Sequence, residues 1–193
     1  MPEAVEEQVA LYDPADPAGR VAGSAPRSRV RAENLPHAAT AVALRDVAGR
    51  IYVHRRTDTK DLFPGAHDVW AGGVITAGED PDDAAHRELA EELGLHDVML
   101  RPMFRHWYAD AHTHYLAYVY DAVWDPERHG PIRHQPEEVA DGWWSTIEDL
   151  VALLADPSWP FVPDGRFCLD HYLRALGSES ATPSAFTEEL RED

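Results

Sequence analysis

Residues 80–94 spell out one helix from cap to stop, and the rest of the chain has to be arranged around it. Asp80 suits an N-cap, Pro81 the first helical position, and Asp82 and Asp83 the positive end of the helix dipole. Ala85, Leu89 and Leu93 recur every four residues as a narrow apolar stripe, and Gly94 is placed to end the helix. A helix over Pro81–Leu93 is predicted, with one face bound for a core.

The flanks read mostly as strands. Residues 9–12 and 21–23 predict two short strands around the turn chemistry of 13–20. Residues 38–44 and 51–54 predict a hairpin turned by Asp46, Val47, Ala48 and Gly49. Strands are expected over 98–107, 115–124 and 139–144, a loop over 125–136, and helices over 147–154 and 164–176, whereas 24–36 carries no clear pattern. The acidic residues 1–8 read as a flexible arm and the polar residues 178–193 as a disordered tail. One mixed α/β (α+β) domain over 9–177 follows, with helices packed on a sheet.

The balance of 35 acidic against 17 basic residues, a formal net charge of −18, opposes binding to nucleic acid or an anionic membrane. A free polyphosphate is repelled too, so an anionic small molecule needs metal ions or a local basic patch. No apolar run is long enough to span a bilayer, and the N-terminus lacks the pattern of a secretory signal. The single cysteine, Cys168, excludes an internal disulfide. A cytoplasmic protein is expected, its oligomeric state left open, a homodimer included.

On the predicted helix Glu88, Glu91 and Glu92 stand at i, i+3 and i+4, so their carboxylates share one face. Two of them sit in the last turn, where the dipole disfavours negative charge by roughly 0.3–1 kcal/mol each. Arg87 offsets part of that. Local stability is sacrificed, as at functional sites. Oxygen ligands clustered on a rigid helix suit Mg2+ or Mn2+, and Glu79 lies close enough in sequence to join them or to act as a base.

The surrounding residues change how these glutamates are read. Gly73, Glu79, Arg87, Glu88, Leu89, Glu91, Glu92, Gly94 and Leu95 fill every defined position of the pattern that marks the Nudix box. The chain therefore resembles the Nudix hydrolases. That resemblance implies an α/β/α sandwich with a mixed β-sheet between helices, and hydrolysis of a diphosphate linkage in a nucleoside diphosphate derivative or related small molecule. It further implies a catalytic set of Glu79, Arg87, Glu88 and Glu91. The metal set would be Glu88, Glu92, Glu91, Glu79 and the Gly73 carbonyl, with Mg2+ as cofactor and Mn2+ as substitute. Arg87 would hold the carboxylates by ion pairing, and Glu137 or Glu138 would assist from a downstream loop.

A longer stretch is similar to the branch of Nudix proteins related to type 1 isopentenyl-diphosphate isomerase. The supporting residues are the opening hairpin, Pro36-His37-Ala38-Ala39-Thr40, and the run from Arg55 to Gly65. By that resemblance Arg56 and Lys60 hold the substrate diphosphate, and two cations four residues apart make chemical sense as a phosphate clamp. The isomerase also needs a cysteine and two histidines where this chain has Gly72, Val74 and Val30. Hydrolysis is thus the expected activity, ahead of isomerisation and of a non-catalytic Nudix-like ligand sensor. His112 and His114 would face the same way on a strand, but with no third ligand in view they are read as exposed or hydrogen-bonding side chains more than as a two-histidine site. Trp107, Tyr108, Tyr115, Tyr118, Trp143 and Trp144 are read as core more than as a nucleobase platform.

Overall fold

The computed structural model describes residues 6–177 and a two-residue strand, Thr187–Glu188. In chain order the elements are β1 (Gln8–Tyr12), β2 (Val21–Pro26), α1 (Arg27–Glu33), β3 (His37–Asp46), β4 (Ile51–Arg56), β5 (His67–Asp68) and β6 (Trp70–Ala71). They continue with α2 (Pro81–Leu93), β7 (Leu100–Ala109), β8 (His114–Trp124), α3 (Pro126–His129), β9 (Val139–Ser145), α4 (Ile147–Ala155), α5 (Pro163–Gly177) and β10 (Thr187–Glu188).

The helix α2 starts and stops where its local signals lie. The Asp80 carboxylate accepts the Asp82 N–H at 2.9 Å, and Gly94 takes the left-handed conformation at φ 66° while its N–H bonds to Ala90.

Sheet order could not be read so locally. At the centre β3 and β8 run parallel, in register from His37 against Tyr115 to Asp46 against Trp124. β7 pairs antiparallel with β8, and β10 lies parallel to β7. The other edge of β3 is shared in turn by β1 at His37, a bridge from Val74 at Ala39, β6 at Val42 and Ala43, and β4 at Arg45. The hairpin expected from 38–44 and 51–54 therefore survives only at its base, as the pair Arg45 and Ile51. Beyond it β4 pairs with β9 and β5, because both edges of β3 are already taken.

Alternation along the two central strands separates the layers. Val42, Leu44, Leu116, Tyr118 and Tyr120 face α2 and join Ala85, Leu89 and Leu93 in one apolar cluster. Ala43, Ala117 and Val119 face the other way, against Leu150 of α4 and Cys168, Leu169 and Tyr172 of α5. The result is the expected α/β/α sandwich. Each fully buried Leu contributes roughly 1.5–3 kcal/mol. α2 is thus pinned by its stripe, which leaves its glutamate face free for chemistry.

Among the acidic N-terminal residues, 1–5 lie outside the described residues. Glu6 accepts the Ser28 N–H at 2.8 Å, the Glu7 carboxylate pairs with Arg27 at 2.7 Å, and Gln8 opens β1. Of the tail expected over 178–193, only the backbone of Thr187–Glu188 is described. Within the described residues no helix is long and apolar enough to cross a membrane.

Candidate active site

Arg87 is the hub of the acidic face of α2. Its Nε donates to Glu79 Oε1 at 2.8 Å and one terminal nitrogen to Glu79 Oε2 at 3.0 Å. The other terminal nitrogen reaches Glu88 at 2.7 Å and Glu91 at 3.2 Å. A planar guanidinium is suited to this, because its donors are fixed in direction. Glu79 is tied in a second time by the Thr76 N–H, at 3.1 Å. Hydrogen bonds from Arg87 hold the Glu79 carboxyl below its ordinary range.

Glu88 lies against Gly73 so closely that a β-carbon there would stand 2.4 Å from its Oε1. Burial pushes the Glu88 carboxyl above its usual range even though Arg87 opposes the shift. The Gly73 carbonyl accepts the Thr40 N–H at 2.9 Å, which uses one of its two lone pairs.

Glu92 is the carboxylate that Arg87 does not reach, and it forms no ion pair among the described residues. Burial raises its pKa well above the ordinary value, and the neighbouring Glu88 and Glu138 charges raise it further, with Lys60 opposing. Glu138 arrives because the 130–138 loop is bonded to the end of α2. Gln135 donates to the Glu92 carbonyl at 2.9 Å and Arg133 to the Leu93 carbonyl at 2.8 Å. Of the two loop glutamates it is Glu138 that meets the site, as the ion-pair partner of Lys60, while Glu137 is exposed.

A groove of about 430 Å³ runs along these groups, lined by Lys60, Gly73, Glu88, Glu91, Glu92 and Glu138 among others. A second cavity, about 230 Å³, adjoins it and shares Lys60, Gly72, Gly73 and Glu92. Arg56 reaches into that second space from the end of β4, its terminal nitrogen 3.2 Å from the Leu62 carbonyl. Arg27, Asn34, Thr40 and Asp164 also line it, and no motif or spacing marks them as site residues. They come from α1, its cap, β3 and α5, far apart in the chain.

The donors fit a hard divalent cation. They are carboxylate oxygens, and the Glu88, Glu92 and Glu138 charges repel one another in a partly buried groove. Among the described residues no three acidic, histidine or cysteine side chains are preset around one point. Mg2+ commonly takes only one or two carboxylates beside water and phosphate oxygens, and Glu92 has no ion-pair partner among the described residues to give up. His112 and His114 do not come together as a two-histidine site, in line with their reading as separate side chains. His112 sits in the turn before β8, its N–H bonded to Asp110, and the His114 ring packs on Trp107 at 5.3 Å. The aromatic residues are mostly structural: Trp144 stacks on Trp124 and Tyr118 is buried beneath α2.

The NUDIX domain profile matches residues 35–165. Among curated relatives, "Uncharacterized Nudix hydrolase orf19" of Rhodococcus erythropolis is 44% identical over 180 residues, spanning 86% of this chain and 92% of the relative. "Uncharacterized Nudix hydrolase YfcD" of Escherichia coli K12 is 33% identical over 168 residues, 87% and 89% of the two chains. Among solved structures, DR0079 from Deinococcus radiodurans superimposes with a TM-score of 0.67 at 26% identity, covering 87% of this chain and 98% of that one. The NUDIX domain of Shewanella oneidensis NrtR, complexed with ADP ribose, shares the fold at a TM-score of 0.57 and 16% identity, covering 79% and 99%.

Proposed function

As a member of the NUDIX domain family this chain is a Nudix hydrolase, and we propose that it cleaves the phosphoanhydride of a nucleoside diphosphate derivative or related organic diphosphate with Mg2+ as cofactor. The observation that carries this reading is the position of Glu92. It is a largely buried carboxylate without an ion-pair partner among the described residues, one helical turn from Glu88 on the same face of α2 and lining a groove that also holds Lys60. Glu88 and Glu92 are the main metal ligands in this reading, with Glu91, Glu79 and the Gly73 carbonyl as further contacts. When bound, Mg2+ (or Mn2+) neutralises phosphate charge, polarises phosphorus and acidifies a water.

The chain's own residues supply the rest. Lys60 and Arg56 bind the diphosphate oxygens, and Lys60 exchanges Glu138 for phosphate as substrate enters. Arg87 is a positioning residue that fixes the directions of Glu79, Glu88 and Glu91. Water adds to phosphorus, the anhydride P–O bond breaks, and the proton leaves to a groove carboxylate. We place the enzyme in the cytoplasm, in keeping with its one buried thiol.

No observation favours the isomerase. A β-carbon at Gly72, where that enzyme carries its cysteine, would stand 2.0 Å from the Thr40 carbonyl oxygen. Val30, at the place of a metal histidine, is buried in a core cluster on which Val74, at the place of the other, packs. Cys168 does reach the wall of the inner cavity, yet burial pushes its thiol up to about 12, so it stays protonated. The reading is tested by screening phosphoanhydrides with Mg2+ and Mn2+ and assaying phosphate or pyrophosphate release. Turnover of at least one is expected, and chelator-resistant or absent turnover refutes it.

A further inference from the structure

The Lys60–Glu138 ion pair joins two loops, residues 58–64 after β4 and residues 130–138 before β9, and both loops meet at Thr57. Thr57 is buried at 8% exposure. It lies just past a register shift at Arg55 and Arg56, where β4 leaves its ladder with β9.

The backbone of Thr57 bonds to both loops. Its N–H donates to the Glu138 carbonyl at 3.1 Å, one step beyond the end of the ladder. Its carbonyl accepts the Lys60 N–H at 3.4 Å and the Gly65 N–H at 3.2 Å, so the loop that carries Lys60 is closed on it.

The hydroxyl adds what the backbone cannot. Thr57 Oγ1 donates to the Glu137 carbonyl at 2.9 Å and lies 3.1 Å from Thr59 Oγ1. A hydroxyl has one proton, and a carbonyl can only accept, so that proton goes to Glu137 and the Thr59 hydroxyl donates to Thr57. Thr59 directly precedes Lys60, and Glu137 directly precedes Glu138. One buried oxygen therefore links the neighbours of both members of the ion pair. With the N–H on the Glu138 carbonyl and the hydroxyl on the Glu137 carbonyl, Thr57 also fixes the direction of the peptide unit between them.

We propose that Thr57 is a positioning residue, its hydroxyl setting Lys60 against Glu138 so that the ammonium group is already in place when a diphosphate displaces the carboxylate. Lysine is long and flexible, and anchoring the backbone it starts from lowers the ordering cost of binding. The clamp role of Lys60 rests on the hydrolase reading, whereas the joining of the two loops stands on the hydrogen bonds alone.

Thr57→Val keeps the branched shape and every backbone bond and removes only the hydroxyl. Calorimetric binding of inorganic pyrophosphate with Mg2+ is the first readout. Thr57→Val should weaken it about 10-fold, the loss of one or two buried hydrogen bonds, while Thr57→Ser stays within about 3-fold of wild type. In a Lys60→Met background Thr57→Val should add less than about 2-fold, because it acts through Lys60. Should Thr57→Val not fold, Thr57→Ala is read in its place. Unchanged or tighter binding, a serine variant as weak as the valine one, or equal weakening without Lys60 overturns the proposal. A second readout needs no ligand. Melts of Lys60→Met, Glu138→Gln and the double variant give the coupling of the pair, which should be present in wild type and lost with Thr57→Val. No coupling in wild type, or coupling that survives Thr57→Val, also overturns it. If wild type binds no pyrophosphate, the clamp in the hydrolase reading fails, and the melting cycle alone decides Thr57.

Discussion

The Glu88 carboxylate occupies the space that any side chain at Gly73 would need. A β-carbon there would meet Oε1 at 2.4 Å and Cδ at 2.7 Å. What is displaced is the end of a flexible side chain, not backbone. Gly73→Ala is therefore expected to leave melting within about 2–4 °C of wild type, the shift of ~1 kcal/mol in a domain of this size. Turnover should fall about 100-fold or more, because Glu88 is moved from its place. Paired thermal melts and steady-state assays check this.

Gly72 predicts the opposite balance. Its β-carbon would stand 2.0 Å from the Thr40 carbonyl oxygen and 2.8 Å from the carbonyl carbon. Backbone in a central strand cannot yield as a carboxylate does. Gly72→Ala should cost about 1–3 kcal/mol or more and lower the melting temperature. Denaturant titration of both glycine variants distinguishes the two kinds of contact.

Lys60 pairs with Glu138 and also offsets the charge at Glu92. Lys60→Met, which keeps the aliphatic length, should raise KM for a diphosphate substrate by about 10-fold or more and leave Glu138 uncompensated. A KM effect smaller than the kcat effect would remove Lys60 from the proposed clamp.

Asp68 predicts a pH dependence of stability. Burial and the neighbouring Asp164 push its carboxyl up to about 7 from an ordinary 3.8. A group whose pKa rises on folding favours the folded state below its unfolded pKa. That contribution is lost as pH climbs through the folded value, here between about 4 and 7. Asp68→Asn should thus be more stable than wild type at pH 8, by at most about 4 kcal/mol, and should flatten the profile between pH 4 and 7. Denaturant unfolding at a series of pH values measures it.

How much of this was legible in the sequence depends on how locally each feature is determined. α2 was readable to the residue because Asp80, Pro81 and Gly94 act on the adjacent backbone. Most strands were readable from apolar runs, but not their order: the parallel pairing of β3 with β8 depends on residues about eighty positions apart. β5 and β6, two residues each, are too short for any periodicity to mark. α1 escaped notice because Pro26 precedes it without a side-chain cap and Val30 is its one buried residue. Within the site, the glutamates and Arg87 lie in one contiguous stretch and were visible. Glu138 could not be told from Glu137 until the loop was seen bonded to the end of α2. The polar lining of the inner cavity is assembled from α1, β3, β4 and α5, and no spacing in the chain records it.

Glu92→Gln bears most directly on the central claim, because burial and like charge already strain this carboxylate in the folded protein. Removing its charge should leave the melting temperature equal or higher, while Mg2+-supported turnover of a phosphoanhydride falls about 100-fold or more. Turnover within a few-fold of wild type would contradict the account, and so would loss of turnover accompanied by collapse of the fold.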